Sequence, residues 1–302
     1  MSTEPMAGPA VPSPKRRRFI VPSLRSPLNV ISIVIIAIAV IWAVAPGVFA
    51  PQDPFQQSLL RRLLPPAFMG GRQAYWLGTD QLGRDVFSRI VYGARATLLV
   101  SVSAVALSCV IGTLVGLIAG YHGGFTDALA LRLIDMQLAF PIILLVIAVV
   151  AVIGASLPVL ILIMGISGWP QFARIVRSSV MSVRNLEYVD AAVSIGASPL
   201  RVMFRHIGPN VLSASIVMAT FQLSDMILTE ATLSFLGLGV QPPTPTWGGM
   251  VSEAQNYLSV SWGASVFPGI AIAAVILAIN ILGDVIRDAL DPRLSGEGRR
   301  EP

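Results

Sequence analysis

Residues 28–50 read LNVISIVIIAIAVIWAVAPGVFA, a stretch without a single charged side chain. A helix needs about 20 mostly apolar residues to cross the hydrocarbon core of a bilayer. The stretch is too long for the apolar region of a typical signal peptide, and it lacks a clear cleavage site, although basic residues precede it. We therefore predict that it forms a transmembrane helix.

Five further apolar runs follow this stretch along the chain. Hydrophobic residues make up 54% of the 302 residues and charged residues only 12%, whereas a soluble domain carries about 25% charged residues. The sequence thus predicts an all-α membrane protein with six transmembrane helices. Pro141 lies inside one of the runs and predicts a kink there, because proline removes a backbone hydrogen bond. The five runs are residues 97–119, 133–153, 157–176, 211–238 and 266–285.

The distribution of Lys and Arg predicts the orientation, since these residues are enriched in cytoplasmic loops. If residue 1 lies in the cytoplasm, fifteen of the 21 Lys and Arg residues fall on the cytoplasmic side. The sequence therefore predicts that both termini are cytoplasmic. The other six lie in the long outer loop after the first helix, where acidic residues offset half of their charge. Because most basic residues anchor the topology, the net charge of +5 does not indicate nucleic-acid binding.

The apolar runs and the composition divide the chain into four segments. Residues 1–26 are rich in Pro, Ser and basic residues and lack hydrophobic periodicity, which predicts a disordered cytoplasmic tail. Residues 27–94 hold the first helix and the outer loop, and residues 95–290 hold the other five helices. Residues 291–302 form a second cytoplasmic tail.

The sequence carries no signature of an enzyme or of a metal site. A phosphate-binding P-loop needs a lysine after a glycine-rich turn, and the only lysine, Lys15, follows Pro-Ser-Pro in the N-terminal tail. His122 and His206 lack further ligands at metal-binding spacing. Cys109 lies in an apolar run and is interpreted as a packing residue. We expect a non-catalytic chain that binds no metal or cofactor of its own.

The cytoplasmic loop between the fourth and fifth predicted spans is unusually long. Its sequence predicts a short helix over residues 187–196, then a break, then a second helix that is capped by Ser198, begins at Pro199 and ends at Pro209. Small side chains suit this elbow to docking against a partner, because a partner backbone can approach them closely. The alternative is an ordinary helix pair that rests on the lipid headgroups. The small residues are Ala191, Ala192, Gly196 and Ala197.

Two carboxylates and a row of glycines lie within the predicted spans. Asp225 and Glu230 each cost about 2.5–3.5 kcal/mol in lipid on insertion scales. They therefore predict either the lining of a pathway or gate, or an interhelical hydrogen bond that fixes packing. Gly112, Gly116 and Gly120 recur at four-residue spacing on one face of the second span. Such a face allows close helix packing, either within the subunit or across a dimer.

The outer loop ends in the segment LGTDQLGRDVFSRIVYGAR at residues 77–95. Asp80 and Arg84 stand four residues apart, as do Asp85 and Arg89, which is the spacing of ion pairs along a helix. The segment therefore predicts an amphipathic helix with paired charges, either solvated or lying in the membrane interface.

The cytoplasmic elbow resembles the EAA loop of ABC importer permeases. The resemblance rests on Asp-Ala-Ala at 190–192, followed at the family's spacing by Gly196, Ile207 and Pro209. Two positions depart from the family pattern: Asp190 stands where many members have Glu, and Gly208 stands where Leu usually precedes the proline. In that family the loop docks on the ATPase. The resemblance therefore implies a coupling role for Glu187, Asp190, Ala191, Ala192, Gly196, Ala197 and Pro209.

Two further stretches narrow the family. Residues 77–95 and 228–250 are similar to permeases of the dipeptide, oligopeptide and nickel group, and the N-terminal module resembles that of the group's C-type subunit. The resemblance covers about residues 28–293. It implies the type I ABC importer permease fold, with the transmembrane type-1 core over 95–290, and a location in the bacterial inner membrane.

The resemblance also implies the partners and the function. The partners are a homologous permease subunit, cytoplasmic ATPase subunits that bind the ATP, an extracytoplasmic substrate-binding protein and membrane lipid. The function implied is ATP-driven uptake of peptides, with nickel, glutathione or another small solute as alternatives. A gradient-driven secondary transporter is the rival class. It would leave the long elbow without a purpose, and a membrane enzyme would need clustered catalytic side chains.

Overall fold

The computed structural model describes residues 26–290, and within that range the chain forms helices and loops without a β-strand. Five helices are long and apolar enough to span a membrane, and a bent pair makes a sixth span when counted together. The predicted fold class is confirmed. The basic tail, apart from Ser26, and residues 291–302 lie outside the described residues. The main helices are α1 (Pro27–Val44), α2 (Val86–His122), α3 (Gly124–Leu138), α4 (Ile142–Ile153), α5 (Leu157–Arg184), α6 (Glu187–Ser194), α7 (Pro199–Phe235), α8 (Trp247–Ala254) and α9 (Gly263–Leu290).

The first span is shorter than its apolar run. α1 ends at Val44, and the chain bends at Ala45 into the single helical turn Pro46–Phe49. Proline restricts the residue before it, and Ala45 accordingly leaves the helical region, with φ −129° and ψ 58°. α1 packs against α2 and α9, but few of its side chains are covered. Its buried residues are Asn29, Ser32 and Ala39.

α2 and α5 form the centre of the bundle and both exceed their predicted lengths. α2 begins at Val86 rather than at residue 97, because the Asp85 side chain accepts a hydrogen bond from the Ser88 backbone N–H at 2.8 Å and caps the helix. α5 continues to Arg184 rather than ending at residue 176. At about 1.5 Å per residue, α2 is longer than the hydrocarbon core is thick. Both helices therefore reach into the loop regions.

The third predicted span is broken. α3 ends at Leu138, α4 begins at Ile142, and their axes meet at 79°. Pro141 occupies the N-cap position of α4, where its missing N–H costs nothing, whereas inside a helix it would interrupt the hydrogen-bond ladder. The predicted bend at Pro141 is confirmed, and it takes the form of a break between two helices within the run 133–153.

Two apolar clusters hold the spans together. One joins α1, α2, α8 and α9 around Ala39, Ile90, Trp247 and Val275. The other joins α2, α4, α5 and α7 around residues such as Phe172, which is fully buried. α8 lies outside the bundle proper, yet its Trp247 side chain is 1% exposed. The loop that carries α8 is therefore part of the folded core.

Candidate coupling surface and transport pathway

The elbow, residues 186–209, is a short helix fixed against the start of a long one. α6 turns Val189 and Ala192 inward, and Val189 joins an apolar cluster with Val202, Met203 and Ile207 of α7. The Tyr188 hydroxyl accepts a hydrogen bond from the Asn210 side chain at 3.0 Å. α6 and the first turns of α7 are thus one packed unit.

Gly196 ends α6 in a Schellman motif. Its N–H donates to the Val193 carbonyl at 2.9 Å, and the Ala197 N–H donates to the Ala192 carbonyl at 3.1 Å. The motif needs a left-handed residue, and Gly196 has φ +85°. A Cβ at this position would have no atom within 4 Å. The glycine is therefore needed for its backbone conformation and not because of crowding.

The second half of the elbow differs from prediction at both ends. Pro199 does begin the helix, but the Ser198 side chain makes no capping hydrogen bond; only its carbonyl participates, accepting from the Val202 N–H at 3.0 Å. The prediction that Pro209 ends this helix is wrong. The backbone widens into a π-helical turn over Val202–Ile207 and continues as α7. The wider turn makes room for the proline ring.

The predicted coupling residues divide by exposure. Ala192 is buried and cannot touch a partner, Ala197 is half-buried, and the other five are exposed. Beside them the elbow leaves large apolar side chains in the open, with Ile195 87% exposed. An exposed apolar patch of this kind indicates an interaction site. The exposed apolar residues of the patch are Val193, Ile195, Leu200 and Phe204.

The junction of α2 and α3 is tied to the end of α5 that precedes the elbow. The Arg177 guanidinium forms a bidentate ion pair with Asp127, one bond measuring 2.7 Å. Arg184 donates to the Tyr121 carbonyl at 2.6 Å. These contacts join residues about 50 to 60 positions apart, which no local sequence spacing could indicate.

The three spaced glycines lie against α5 of the same chain. A Cβ on Gly112 would stand 2.4 Å from the Phe172 side chain, and one on Gly116 would stand 2.6 Å from the Ala173 carbonyl oxygen. Gly120 faces Val180 in the same way. Of the two contacts left open by the sequence, the structure shows the one within the subunit.

The two intramembrane carboxylates face different surroundings. Asp225 is exposed on α7, and its carboxylate has no hydrogen bond or ion pair among the described residues. Glu230 is 1% exposed and accepts a hydrogen bond from the Ser234 hydroxyl at 2.7 Å, with Thr97 and Thr246 beside it. Glu230 therefore packs the interior below α8, whereas Asp225 opens onto a surface.

The face of α7 that carries Asp225 is partly polar. Thr229 and Thr232 follow on the same side of the helix, each bonded to its own backbone at 2.7–2.8 Å. A lone carboxylate exposed to lipid would cost several kcal/mol, so such groups normally face a bundle interior or a water-filled cavity. This face is the best candidate for a polar pathway through the membrane.

The outer cap, residues 51–85 together with α8, is held by a buried charge network. Arg84 binds Asp80 at 2.6 Å, as predicted, but across a turn, because the predicted helix begins only at Val86. Arg89 binds Asp80 at 2.5 Å and not Asp85. The predicted Asp85–Arg89 pair is wrong because Asp85 serves as the N-cap of α2. Both arginines also bind Glu253 of α8, at 2.5 and 2.9 Å.

Two acids of the cap region, Glu253 and Asp85, have pKa values that differ from their ordinary values. Burial raises the pKa of Glu253, but the hydrogen bond from Arg89 and the charges of Arg89 and Arg84 outweigh burial, so the pKa lies below its ordinary value. Burial raises the pKa of Asp85, and the hydrogen bonds from Ser88 only partly offset it. Glu253 escaped sequence analysis because it lies 164 positions or more from its partners.

Comparison with known proteins identifies the family. The family model described as the inner membrane component of binding-protein-dependent transport systems matches residues 112–296. Two relatives are 44% identical to the chain: the dipeptide transport system permease protein DppC of Haemophilus influenzae, over 87% of this chain and 89% of the relative, and the glutathione transport system permease protein GsiD of Pectobacterium atrosepticum, over 74% and 75%.

A solved structure shares the fold. A chain of the MetNI methionine ABC transporter in an inward-facing conformation superposes with a TM-score of 0.53 at 18% identity, covering 67% of this chain and 96% of that one. The chain therefore belongs to the family of binding-protein-dependent transport system inner membrane components, the non-catalytic, multi-pass subunits of bacterial ABC importers.

Proposed function

We propose that this chain is a permease subunit that imports peptides. The DppC and GsiD relatives transport a dipeptide and glutathione, and a DppC of Pseudomonas aeruginosa that is 44% identical over 81% of each chain is a di/tripeptide permease. These solutes share a peptide backbone, which favours a peptide over nickel. A secondary transporter is not favoured, because the family works with a binding protein and with separate ATPase subunits.

The observation that carries the proposal is the exposed apolar surface of the elbow. We assign docking of the ATPase to this surface, with Glu187, Asp190, Ala191 and Gly196 on or beside it. ATP is bound by the partner ATPase subunits and not by this chain. The positive-inside distribution supports a cytoplasmic location for the elbow and both termini. The exposed apolar side chains then face the compartment in which ATP is hydrolysed.

The packing of the elbow supports a transmission role. Val189 packs α6 against α7, and α7 runs without a break from the elbow to the face that carries Asp225. A displacement of α6 by a closing ATPase would therefore move α7 as well. We assign Asp225 to the pathway, which opens at the contact with a homologous permease subunit, and Glu230 to packing.

The four-segment organisation stays part of the proposal. α2 begins at Val86 and crosses the predicted boundary at residues 94 and 95, so the N-terminal module and the type-1 core share a helix. Membrane lipid covers the remaining apolar surface of the spans.

The first test replaces Gly196 with valine in the tagged chain and measures co-purification of partner subunits and ATPase activity. A side chain at φ +85° costs about 1–2 kcal/mol, and the Schellman motif holds the docking surface, so we expect the coupled ATPase activity to fall about tenfold. Gly237→Val is the matched control, because Gly237 ends α7 with the same pair of hydrogen bonds, has φ +78° and equally open surroundings, and lies at the opposite end of α7 from the elbow.

Two results would contradict the proposal. One is equal ATPase activity in the Gly196→Val variant and the Gly237→Val control. The other is a chain that purifies alone and moves solute into liposomes without ATP, which would make it a secondary transporter.

A further inference from the structure

A buried carboxyl lies where α2, α7 and α8 meet. Glu230 of α7 is 1% exposed, and one of its oxygens accepts a hydrogen bond from the Ser234 hydroxyl at 2.7 Å. Its other oxygen has no hydrogen-bond partner of good geometry among residues 26–290. Thr97 of α2 and Thr246, the N-cap of α8, lie beside it and are buried as well. Since a buried carboxyl oxygen without a donor is costly, the two threonine hydroxyls are the groups in place to serve it.

Both threonines have a hydroxyl hydrogen to donate. The Thr246 hydroxyl oxygen accepts from the Gly249 N–H at 3.0 Å, and the Thr97 hydroxyl oxygen accepts from the Trp247 N–H at 3.3 Å. A hydroxyl carries one donor besides its acceptor lone pairs. No other group in the described part of the chain uses either donor. Rotation of each hydroxyl can therefore turn its hydrogen towards Glu230.

α8 also packs closely on α7 around this carboxyl. A Cβ on Gly248 would stand 2.5 Å from the Ala231 Cα, so the two backbones are in direct contact there. The Ser252 hydroxyl donates to the Phe235 carbonyl, at the last residue of α7, at 2.8 Å. α8 therefore lies against the end of α7 that is remote from the elbow.

α8 is tied to α2 and to the rest of the cap as well. The Trp247 indole N–H donates to the Ile90 carbonyl of α2 at 2.9 Å. Glu253 binds both Arg84 and Arg89. α7 in turn is one uninterrupted helix from the elbow to its contacts with α8. A displacement of the elbow end of α7 therefore acts on α8, and through α8 on the cap.

We propose that Glu230 is a positioning residue that joins α8 to α7 by accepting hydrogen bonds from Thr97 and Thr246, so that the cap and the elbow move together. Ser234 lies on α7 itself, so the joint depends on the two threonines. The inference rests on the proposed function, in which the elbow docks the ATPase and the cap lies on the side of the extracytoplasmic binding protein. Docking of the binding protein on the cap is then expected to reach the ATPase through α8 and α7.

The test measures how strongly the binding protein stimulates the ATPase of the complete transporter in nanodiscs. The complex is supplied with a dipeptide, and the ATPase rate with the binding protein is divided by the rate without it. We expect Glu230→Leu to lose this stimulation, because leucine fills similar space but accepts no hydrogen bond. Glu230→Gln should keep it, because the amide oxygen still accepts from both threonines.

Ser224→Ala is the matched control. The Ser224 hydroxyl donates to the Asn280 side chain of α9 at 2.8 Å, so this variant also removes an interhelical bond of α7 but leaves α8 untouched. Its stimulation should equal that of the wild type. Thr97→Val removes one hydroxyl with little change of shape and should reduce the stimulation as Glu230→Leu does. It tests the joint even if Glu230→Leu impairs assembly of the complex.

Three results would overturn the proposal. Full stimulation in both Glu230→Leu and Thr97→Val would show that backbone packing alone holds α8. Equal loss in Ser224→Ala would show that any weakened contact of α7 breaks the transmission. Loss in Glu230→Gln would make the charge, and not the hydroxyl contacts, the requirement. All three leave the importer assignment standing, whereas a wild-type complex that the binding protein does not stimulate would contradict that assignment and the joint together.

Discussion

The cap and the elbow both connect transmembrane spans, yet they are held by opposite forces. In the cap the charges are turned inward: Asp80, Arg84 and Arg89 are at most 5% exposed and pair with one another and with Glu253. In the elbow the apolar residues Val189 and Ala192 are turned inward, and large apolar side chains remain outside.

The difference shows what each region can do. The cap satisfies its charges internally, which fixes α8 to the start of α2 and leaves a rigid outer structure. The elbow has an unsatisfied apolar surface on a firm base, which is the arrangement expected of a surface that docks and transmits force. Three predictions test this contrast.

The largest effect is expected in the cap. Arg89→Leu would leave Asp80 and Glu253 with one buried arginine fewer, and breaking a buried pair costs about 3–5 kcal/mol. We expect hydrogen exchange in residues 51–85 to accelerate accordingly, measured on the complex in nanodiscs. Arg62→Leu is the control, because exposed Arg62 contacts only the Gln81 carbonyl at 2.7 Å and should cost less than about 1 kcal/mol. Equal hydrogen exchange in the two variants would show that the buried ion pairs do not hold the cap together.

A smaller effect is expected from pH. Because the pKa of Glu253 is lowered in the fold, its contribution to stability is present above its ordinary value of 4.5 and is lost as the pH falls through the folded pKa. Thermal stability should therefore decline as the pH falls below about 4.5, and less steeply in Glu253→Gln. Asp85→Asn should raise the thermal stability at neutral pH. The reason is that the pKa of Asp85 is raised in the fold, so its charged form is disfavoured there. A Glu253→Gln variant whose stability keeps the wild-type pH slope would show that this carboxylate is not the titrating group.

The smallest change in stability is expected in the elbow. Ile195→Ser removes an exposed side chain and should change the free energy of unfolding by less than about 0.5 kcal/mol, while it lowers the coupled ATPase activity. Val260→Ser is the control, because Val260 is 69% exposed in the loop after α8. A large loss of stability, or unchanged ATPase activity, would remove the distinction between docking surface and structural base.

Sequence reasoning succeeded where the signal is local. Apolar runs located the spans, Pro141 indicated the bend, and Gly196 indicated the break in the elbow, because each effect depends on residues a few positions apart. It failed at Asp85, where helix spacing suggested an ion pair although the backbone N–H of Ser88 was the nearer partner. It failed at Pro209 because a π-helical turn absorbs the proline ring.

The sequence by itself determined that the chain is a helical membrane protein and that the elbow breaks at Gly196. Hydrophobic length and short motifs are properties of neighbouring residues. Only the tertiary structure decided that Glu253 completes the charge network of the cap, that Gly112 and Gly116 serve packing within the subunit, and that Asp225 is exposed while Glu230 is buried. The physical reason is that burial and long-range pairing depend on which helix faces meet in space, and no spacing along the chain specifies that.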